Sequence, residues 1–430
     1  MAAKAWFPVP ANSQFSLANI PFGIISTEGS NDRHVAVAIG DQVVDLTVFA
    51  SFDGFSGLPA IQPHLDVFSQ PVLNHFASLG RPIHRKVREY LREVFTEGTE
   101  VCQAFKKNPI ALRGTFPLKD VQTHLPFRIG DYTDFYVGKY HAQNAGKFLL
   151  GKENALPPNY MHLPLGYHGR ASSVVVSGTP IRRPRGQIIE DPAASSPRPV
   201  FSASKRLDFE LELGAFLCKA NKMGEPVDIK NAEENIFGFV LLNDWSARDI
   251  QGWEMMPLGP FNAKNFGTSI SPWVVLADAL EPFKTSGIEN EGVLSYLQEM
   301  KTDSVYDLQL EVELTTKSGT STTITRTNGK NLLFSFPQML AHHTVGGCPM
   351  QVGDLLGSGT VSGTDPSTTS GSMFELSANG KNKIRLSGQE ERTFLEDYDL
   401  VKLKGWAGKT DKNLVGFGDC IGTVQPALTP

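Results

Sequence analysis

Apolar positions recur along this chain with two periods, and the chain divides where one gives way to the other. Residues 1 to about 120 form one unit. It opens with short extended runs at 22–25 and 34–39, followed by a Gly40-Asp41 turn and a third run at 43–46. From Ile83 to Phe105 the period lengthens. Val87, Leu91, Val94, Phe95 and Val101 recur near helical spacing among Arg, Lys and Glu, which predicts a helix. Residues 117–125 lead into a second unit, 121–430, where strand signals dominate. Val174, Val175 and Val176 form a short buried-type run. Residues 207–213 alternate strictly, and so do 308–314, which a Lys317-Ser318-Gly319 turn joins to a partner strand at 322–325. Residues 236–242 are apolar throughout, the pattern of a strand covered on both faces. Ser335, with Pro337 close behind it, opens one short helix. The pattern predicts a mainly β protein of the α+β class.

Composition narrows the classes of partner. A chain of 430 residues can bury a substantial core. Its 40% hydrophobic and 20% charged residues are those of an ordinary soluble protein. A net charge of −5 gives no ground for expecting nucleic acid or an anionic membrane as partner. No stretch approaches the roughly 18–20 apolar residues of a membrane span. Pro8 and Pro10 interrupt the N-terminus before a signal-peptide core could form. Cys102, Cys218, Cys348 and Cys420 stand far apart without a paired motif, so they read as reduced thiols, and a cytoplasmic location is expected.

Four carboxylates sit hard against large apolar neighbours. Asp134 lies in Asp131-Tyr132-Thr133-Asp134-Phe135-Tyr136, Glu210 and Glu212 in the alternating run, and Asp244 just after the apolar one. An unpaired carboxylate is costly in such surroundings, so a cation should meet them. No Cys–His cluster competes for the role, and hard oxygen donors point to calcium or magnesium rather than zinc. Alternation places Asp208, Glu210 and Glu212 on one strand face. A solvated face is the bland alternative, and an acid ending a buried strand weighs against it. His141 follows Asp134 on the same segment. It is one of ten histidines, and spacing alone leaves His162 and His168 open as well. If a helix begins after Asp244, Arg248 and Gln251 share a face, with Lys264 further on. Such donors could hold an oxyanion or be surface salt-bridge partners. Residues 357–363 form a glycine-rich loop with no phosphate or dinucleotide fingerprint, and Glu375 beyond it is flanked by apolar residues.

Together these motifs resemble the fumarylacetoacetase family. The likeness is strongest in Ile129-Gly130-Asp131-Tyr132-Thr133-Asp134-Phe135-Tyr136 and in 163–173, 243–251 and 267–273, and it spans nearly the whole chain. It implies a small SH3-like N-terminal barrel, 1–120, followed by a larger catalytic β-roll domain, 121–430, assembled as a homodimer. Position by position, it implies that Asp134, Glu210, Glu212 and Asp244 hold Ca2+ or Mg2+, with a second cation beside Lys264 and Thr268 left open. It makes His141 a general base oriented by Glu375, and Arg248, Gln251 and Lys264 oxyanion-stabilising donors. Tyr136, Tyr167 and Thr360 would contact substrate, and His162 and His168 become structural.

The reaction so implied is hydrolysis of a carbon–carbon bond in a 1,3-diketone. Fumarylacetoacetate would give fumarate and acetoacetate, in tyrosine and phenylalanine catabolism. Two substrate-pocket positions depart from the resemblance: Leu150 stands where the family typically has Arg, and Met255 where it typically has Tyr. An isobutyl group cannot grip a carboxylate as a guanidinium does, though Lys147 offers a charge nearby. The alternatives are therefore a divergent relative that hydrolyses, decarboxylates or isomerises another metal-chelating keto compound, and a catalytically silent binding homologue.

Overall fold

The computed structural model describes residues 4–109, 111–151, 156–191, 194–409 and 413–429. Phe22–Thr27, His34–Ile39 and Gln42–Asp45 form the expected antiparallel meander, and Thr115–Pro117 and Val121–His124 extend it to a five-stranded sheet. Val121–His124 reaches back to pair with the first strand before the chain enters the larger unit. The single helix expected over 83–105 is instead two, Arg81–Phe95 and Glu100–Lys106. Between them Gly98 turns at φ 90°, which side-chain-bearing residues avoid, and Thr99 caps the second helix by accepting from the Cys102 amide. Apolar periodicity does not register that break, because Val101 still falls near the helical phase.

Among the described residues the largest sheet has eight strands. Its path runs Gly166–His168, Tyr132–Phe135, Leu355–Gly357, Leu211–Leu217, Ile236–Asp244, Thr268–Ile270 and Val174–Val176, with Val275–Leu276 also pairing to Ile236–Asp244. Leu211–Leu217 and Ile236–Asp244 are buried at every position. Alternation then sends successive side chains into two different cores. Leu213, Ala215, Phe239 and Leu241 pack with Leu310, Val312 and Leu403 of a second sheet built on Gln309–Thr315 and Leu400–Ala407. Phe216, Val240, Leu242 and Leu355 pack instead with Val87, Leu91 and Phe95 of the N-terminal helix.

The hairpin of Gln309–Thr315 with Ser321–Asn328 and the capped helix Phe336–Thr344 form as the pattern predicts; Ser335 and Gln338 close a capping box. The strand expected over 207–213 is interrupted. Leu207–Asp208 pairs with Ser246–Ala247, and the next strand starts at Leu211. Nor is its acidic face solvated, for Asp208, Glu210 and Glu212 are all buried. No helix among the described residues is long and apolar enough to cross a membrane. The four cysteines are free.

Candidate active site

Strand order, not sequence proximity, assembles the acids. Asp134 lies opposite Tyr167 on one side and Gly357 on the other, while Asp244 lies opposite Thr268. By alternation Asp134 shares a sheet face with Tyr132, Glu212 with Phe216, Asp244 with Leu242, and Gly357 with Leu355. Those apolar partners all belong to the core shared with the N-terminal helix. One face of the sheet is therefore apolar at one end and acidic at the other. Asp134, Glu210, Glu212 and Asp244 each bring an oxygen to within 4.8 Å of the others, and all four residues are buried. Gly357 permits this: a Cβ there would stand 2.7 Å from Asp134 Oδ1 and 3.1 Å from Glu212 Oε2.

The cluster is short of positive charge. Burial and the Asp244 charge push Asp134 up to about 8 against the pull of Lys264. Burial, with Asp134 and Asp244, raises Glu212 well above the usual carboxylate range. Burial would also raise Glu210, but Lys264, Arg248 and His141 outweigh it and hold that carboxyl below the range. Lys264 pairs with Glu210 and, at 2.7 Å, with Asp244. Thr268 donates to Asp244 Oδ1 at 3.1 Å and Tyr167 to Oδ2 at 2.7 Å. Asp134 Oδ1 and Glu212 Oε1 are buried without a hydrogen-bond partner among the described residues. Orphaned hard oxygens in a site with excess negative charge suit a divalent cation, which these four residues can hold.

Beside the cluster stands His141, in the first turn of helix Lys139–Leu150. Its Nδ1 is 2.6 Å from Glu375 Oε2, and its Nε2 lies 3.9 Å from Glu210 Oε1. Glu375, in the short helix Met373–Leu376, also accepts from Asn144 at 2.8 Å, Ser362 at 3.0 Å and Ser372 at 2.8 Å. Burial would raise its pKa, but the His141 charge and the bonds from His141, Asn144 and Ser372 leave it below the ordinary range. A carboxylate so anchored takes the Nδ1–H, leaving Nε2 as the basic nitrogen turned toward the acids.

Arg248 begins helix Arg248–Glu254, which follows the short strand Ser246–Ala247 rather than Asp244 itself. Its Nε donates to Asp208 Oδ2 at 2.8 Å and its Nη1 to Gln251 Oε1 at 3.1 Å. Nη2 is 2.7 Å from Glu210 Oε1, an ion pair that sets the guanidinium against the acidic cluster. A cavity of about 780 Å³ opens over these groups. Asp134, Tyr136, His141, Tyr167, Glu210, Glu212, Arg248, Gln251, Met255, Lys264 and Thr360 line it. Asp244 and Glu375 stand behind that wall, bonded to Lys264 and His141, and Thr268 stands against Asp244. The side chain of Leu150 falls outside the described residues. His162 is exposed, held by the Gly292 carbonyl at 2.8 Å, and neither it nor His168 lines the cavity.

The sequence alone does not single out Asn144, Ser362 or Ser372. Two signals were nevertheless there. Ser372 and Glu375 form the S-x-x-E spacing of a capped helix, and Asn144 lies one turn beyond His141. Nothing local marks Ser362.

Residues 18–126 match the family described as "Fumarylacetoacetase N-terminal", and residues 132–425 match "Fumarylacetoacetate (FAA) hydrolase C-terminal". Fumarylacetoacetase from Aspergillus fumigatus is 60% identical, over 99% of this chain and 99% of its own length. The Homo sapiens fumarylacetoacetase is 45% identical, over 99% and 100%. Among solved structures, fumarylacetoacetate hydrolase from psychrophilic Exiguobacterium antarcticum covers 95% of this chain and 99% of its own at 15% identity. Its TM-score of 0.51 is a likeness of fold.

Proposed function

Because the chain belongs to the fumarylacetoacetase family, we propose that it is a metal-dependent hydrolase splitting fumarylacetoacetate into fumarate and acetoacetate, in tyrosine and phenylalanine catabolism. The observation that carries this reading is the buried His141–Glu375 pair, 2.6 Å apart, with its free nitrogen turned toward four clustered carboxylates.

Hydrolysing a 1,3-diketone calls for a nucleophilic water, a stabilised tetrahedral oxyanion and a carbanion leaving group held as an enolate. His141 Nε2 takes the proton of the attacking water, a contribution of roughly 10²–10⁴-fold. Glu375 fixes the tautomer and stabilises the imidazolium, and Asn144, Ser362 and Ser372 keep Glu375 in place. Arg248 Nη2 and Lys264 Nζ meet the developing negative charge. A donor so placed is worth about 2.7–4 kcal/mol, the scale of one oxyanion-hole contact. Gln251 holds the other arm of the Arg248 fork, and Tyr136, Tyr167 and Thr360 flank the substrate. Asp134, Glu210, Glu212 and Asp244 would hold Ca2+ or Mg2+, which supplies Lewis-acid neutralisation of diketone oxygens when bound. Lys264, an ammonium, serves that cluster as a charge partner, and Thr268 orients Asp244.

In the same reading, 1–120 is a supporting barrel whose sheet Val121–His124 completes, and the rest of 121–430 is the catalytic unit, which contains every residue of the site. The protein works in the cytoplasm as a homodimer, and a second copy would cover the exposed Phe201, Trp253, Met256, Leu258 and Phe261. Loss of the substrate's ultraviolet absorbance on adding protein with Mg2+ or Ca2+ tests the activity, with chelation expected to stop it. Met255 in the cavity wall favours a second reading, a divergent relative acting on another keto compound. Turnover of a neutral diketone with none of fumarylacetoacetate would select that one.

A further inference from the structure

Among the described residues four cationic side chains line the cavity: Lys205, Arg206, Arg248 and Lys264. Three of them have carboxylate partners. Lys205 is 2.6 Å from Glu190, Arg248 2.8 Å from Asp208 and Lys264 2.7 Å from Asp244. Arg206 alone has no carboxylate partner among the described residues. Its Nη1 donates to Asn379 Oδ1 at 3.1 Å, and its guanidinium lies over the Phe394 ring at 5.7 Å. An amide and an aromatic face orient a guanidinium without neutralising it, which leaves its charge for a ligand.

The place of Arg206 matters as much as its charge. Phe394 clusters with Ala145, Phe148 and Phe374. Ala145 and Phe148 lie on helix Lys139–Leu150, and Phe374 sits under Arg248 at 5.4 Å. Arg206 therefore enters the cavity along the wall against which that helix packs, the helix that ends in Leu150. Resting on the function proposed above, we propose that Arg206 anchors a terminal carboxylate of the substrate. The guanidinium comes from the start of the acidic strand instead of from position 150. The cavity thus selects diketo acids over neutral diketones, although its helix ends in leucine. Lys147, the other candidate charge, does not line the cavity among the described residues.

The test uses the metal-loaded full chain with Arg206→Met and Arg206→Lys. The Met variant is expected to raise KM for fumarylacetoacetate on the order of tenfold or more, with a much smaller change in kcat, as for a lost charged hydrogen bond. The ratio of kcat/KM for the acid to that for its methyl ester should fall by the same factor. The Lys variant should recover part of it, since the charge returns without the fork. Fumarate, a dicarboxylate, should bind the Met variant correspondingly more weakly by calorimetry. Equal losses on acid and ester, or no loss, overturn the assignment, as does fumarate that binds both forms alike, including not at all. Wild-type protein inert toward acid and ester overturns the proposed function instead, and the fumarate comparison still decides Arg206.

Discussion

Where helix Arg81–Phe95 meets the larger unit, Arg81, Arg85 and Lys284 face Glu233, Glu234, Asp278 and Glu281; in the active site Arg248 and Lys264 face Asp134, Asp208, Glu210, Glu212 and Asp244. The groups are alike and Arg81 is buried as they are, yet some of the site's carboxyls respond in the opposite way. At the junction Arg81 holds Asp278 at 2.9 Å and Glu281 at 3.0 Å, and Arg85 holds Asp278 at 2.7 Å. Burial would raise Asp278, but Arg81 outweighs it and the carboxyl falls below its usual range. Glu233 likewise drops to about 2, burial being overcome by its bonds to Lys284 and Glu281 and by the charges around it. In the site, two of the four clustered carboxyls move up instead. Glu233 and Glu281 keep 30% and 38% of their side chains exposed while the site acids are buried throughout, so deeper burial and the shortage of cations together decide the sign. A cluster whose acids are nearly matched by cations fastens two parts of the fold. An anionic excess held by a sheet reserves a place for a cation.

The comparison breaks most visibly at catalysis. His141→Ala should lower kcat by roughly 10²–10⁴-fold while calorimetry still detects divalent-ion binding; an active variant would remove the base from the mechanism. Next, Arg81→Met leaves Asp278 and its neighbours without their buried cation and should cost about 3–5 kcal/mol of stability. Denaturant melts would show this, with kcat per folded molecule preserved. Glu212→Gln should act in the opposite sense, making the metal-free protein more stable by relieving repulsion. It should also erase the wild-type metal-induced stabilisation, which is about 2.7 kcal/mol at one hundred times Kd. A destabilised metal-free variant would contradict the anionic excess.

The most gradual effect is a pH slope at the junction. Burial lowers His84 from 6.5 to about 4, with its Nε2 on the Phe76 carbonyl at 3.0 Å. The fold therefore keeps this imidazole neutral while the unfolded chain takes up a proton. Its contribution is whole above 6.5 and is lost as pH falls toward 4, at most about 1.4 kcal/mol per pH unit. Glu233, depressed from 4.5 to about 2, contributes above 4.5 and loses that contribution as pH falls toward 2. Melting temperatures for wild type and His84→Gln should diverge in slope between 6.5 and 4 and run parallel above.

Much of the fold was legible locally. The hairpin around Gly319, the capped helix after Ser335 and the buried strand ending at Asp244 each follow from patterns within a few residues. The break at Gly98 and the interruption after Asp208 were not legible, because the apolar phase continues across both. In the site, residue types flagged the four carboxylates as needing a cation. They left His141 as one of ten histidines, and only family resemblance matched it to Glu375, 234 residues away.

By itself the sequence determined which segments extend, which coil, and which acids sit among apolar neighbours, since those properties depend on backbone geometry and near neighbours. Tertiary structure alone decided that strands bearing Asp134, Gly357, Glu212 and Asp244 lie side by side, that Ser362 steadies Glu375, and that Arg206 lines the cavity with no carboxylate partner among the described residues. Pairing between strands distant in sequence is selected by how two cores pack on opposite sides of one sheet, and no local period encodes that choice.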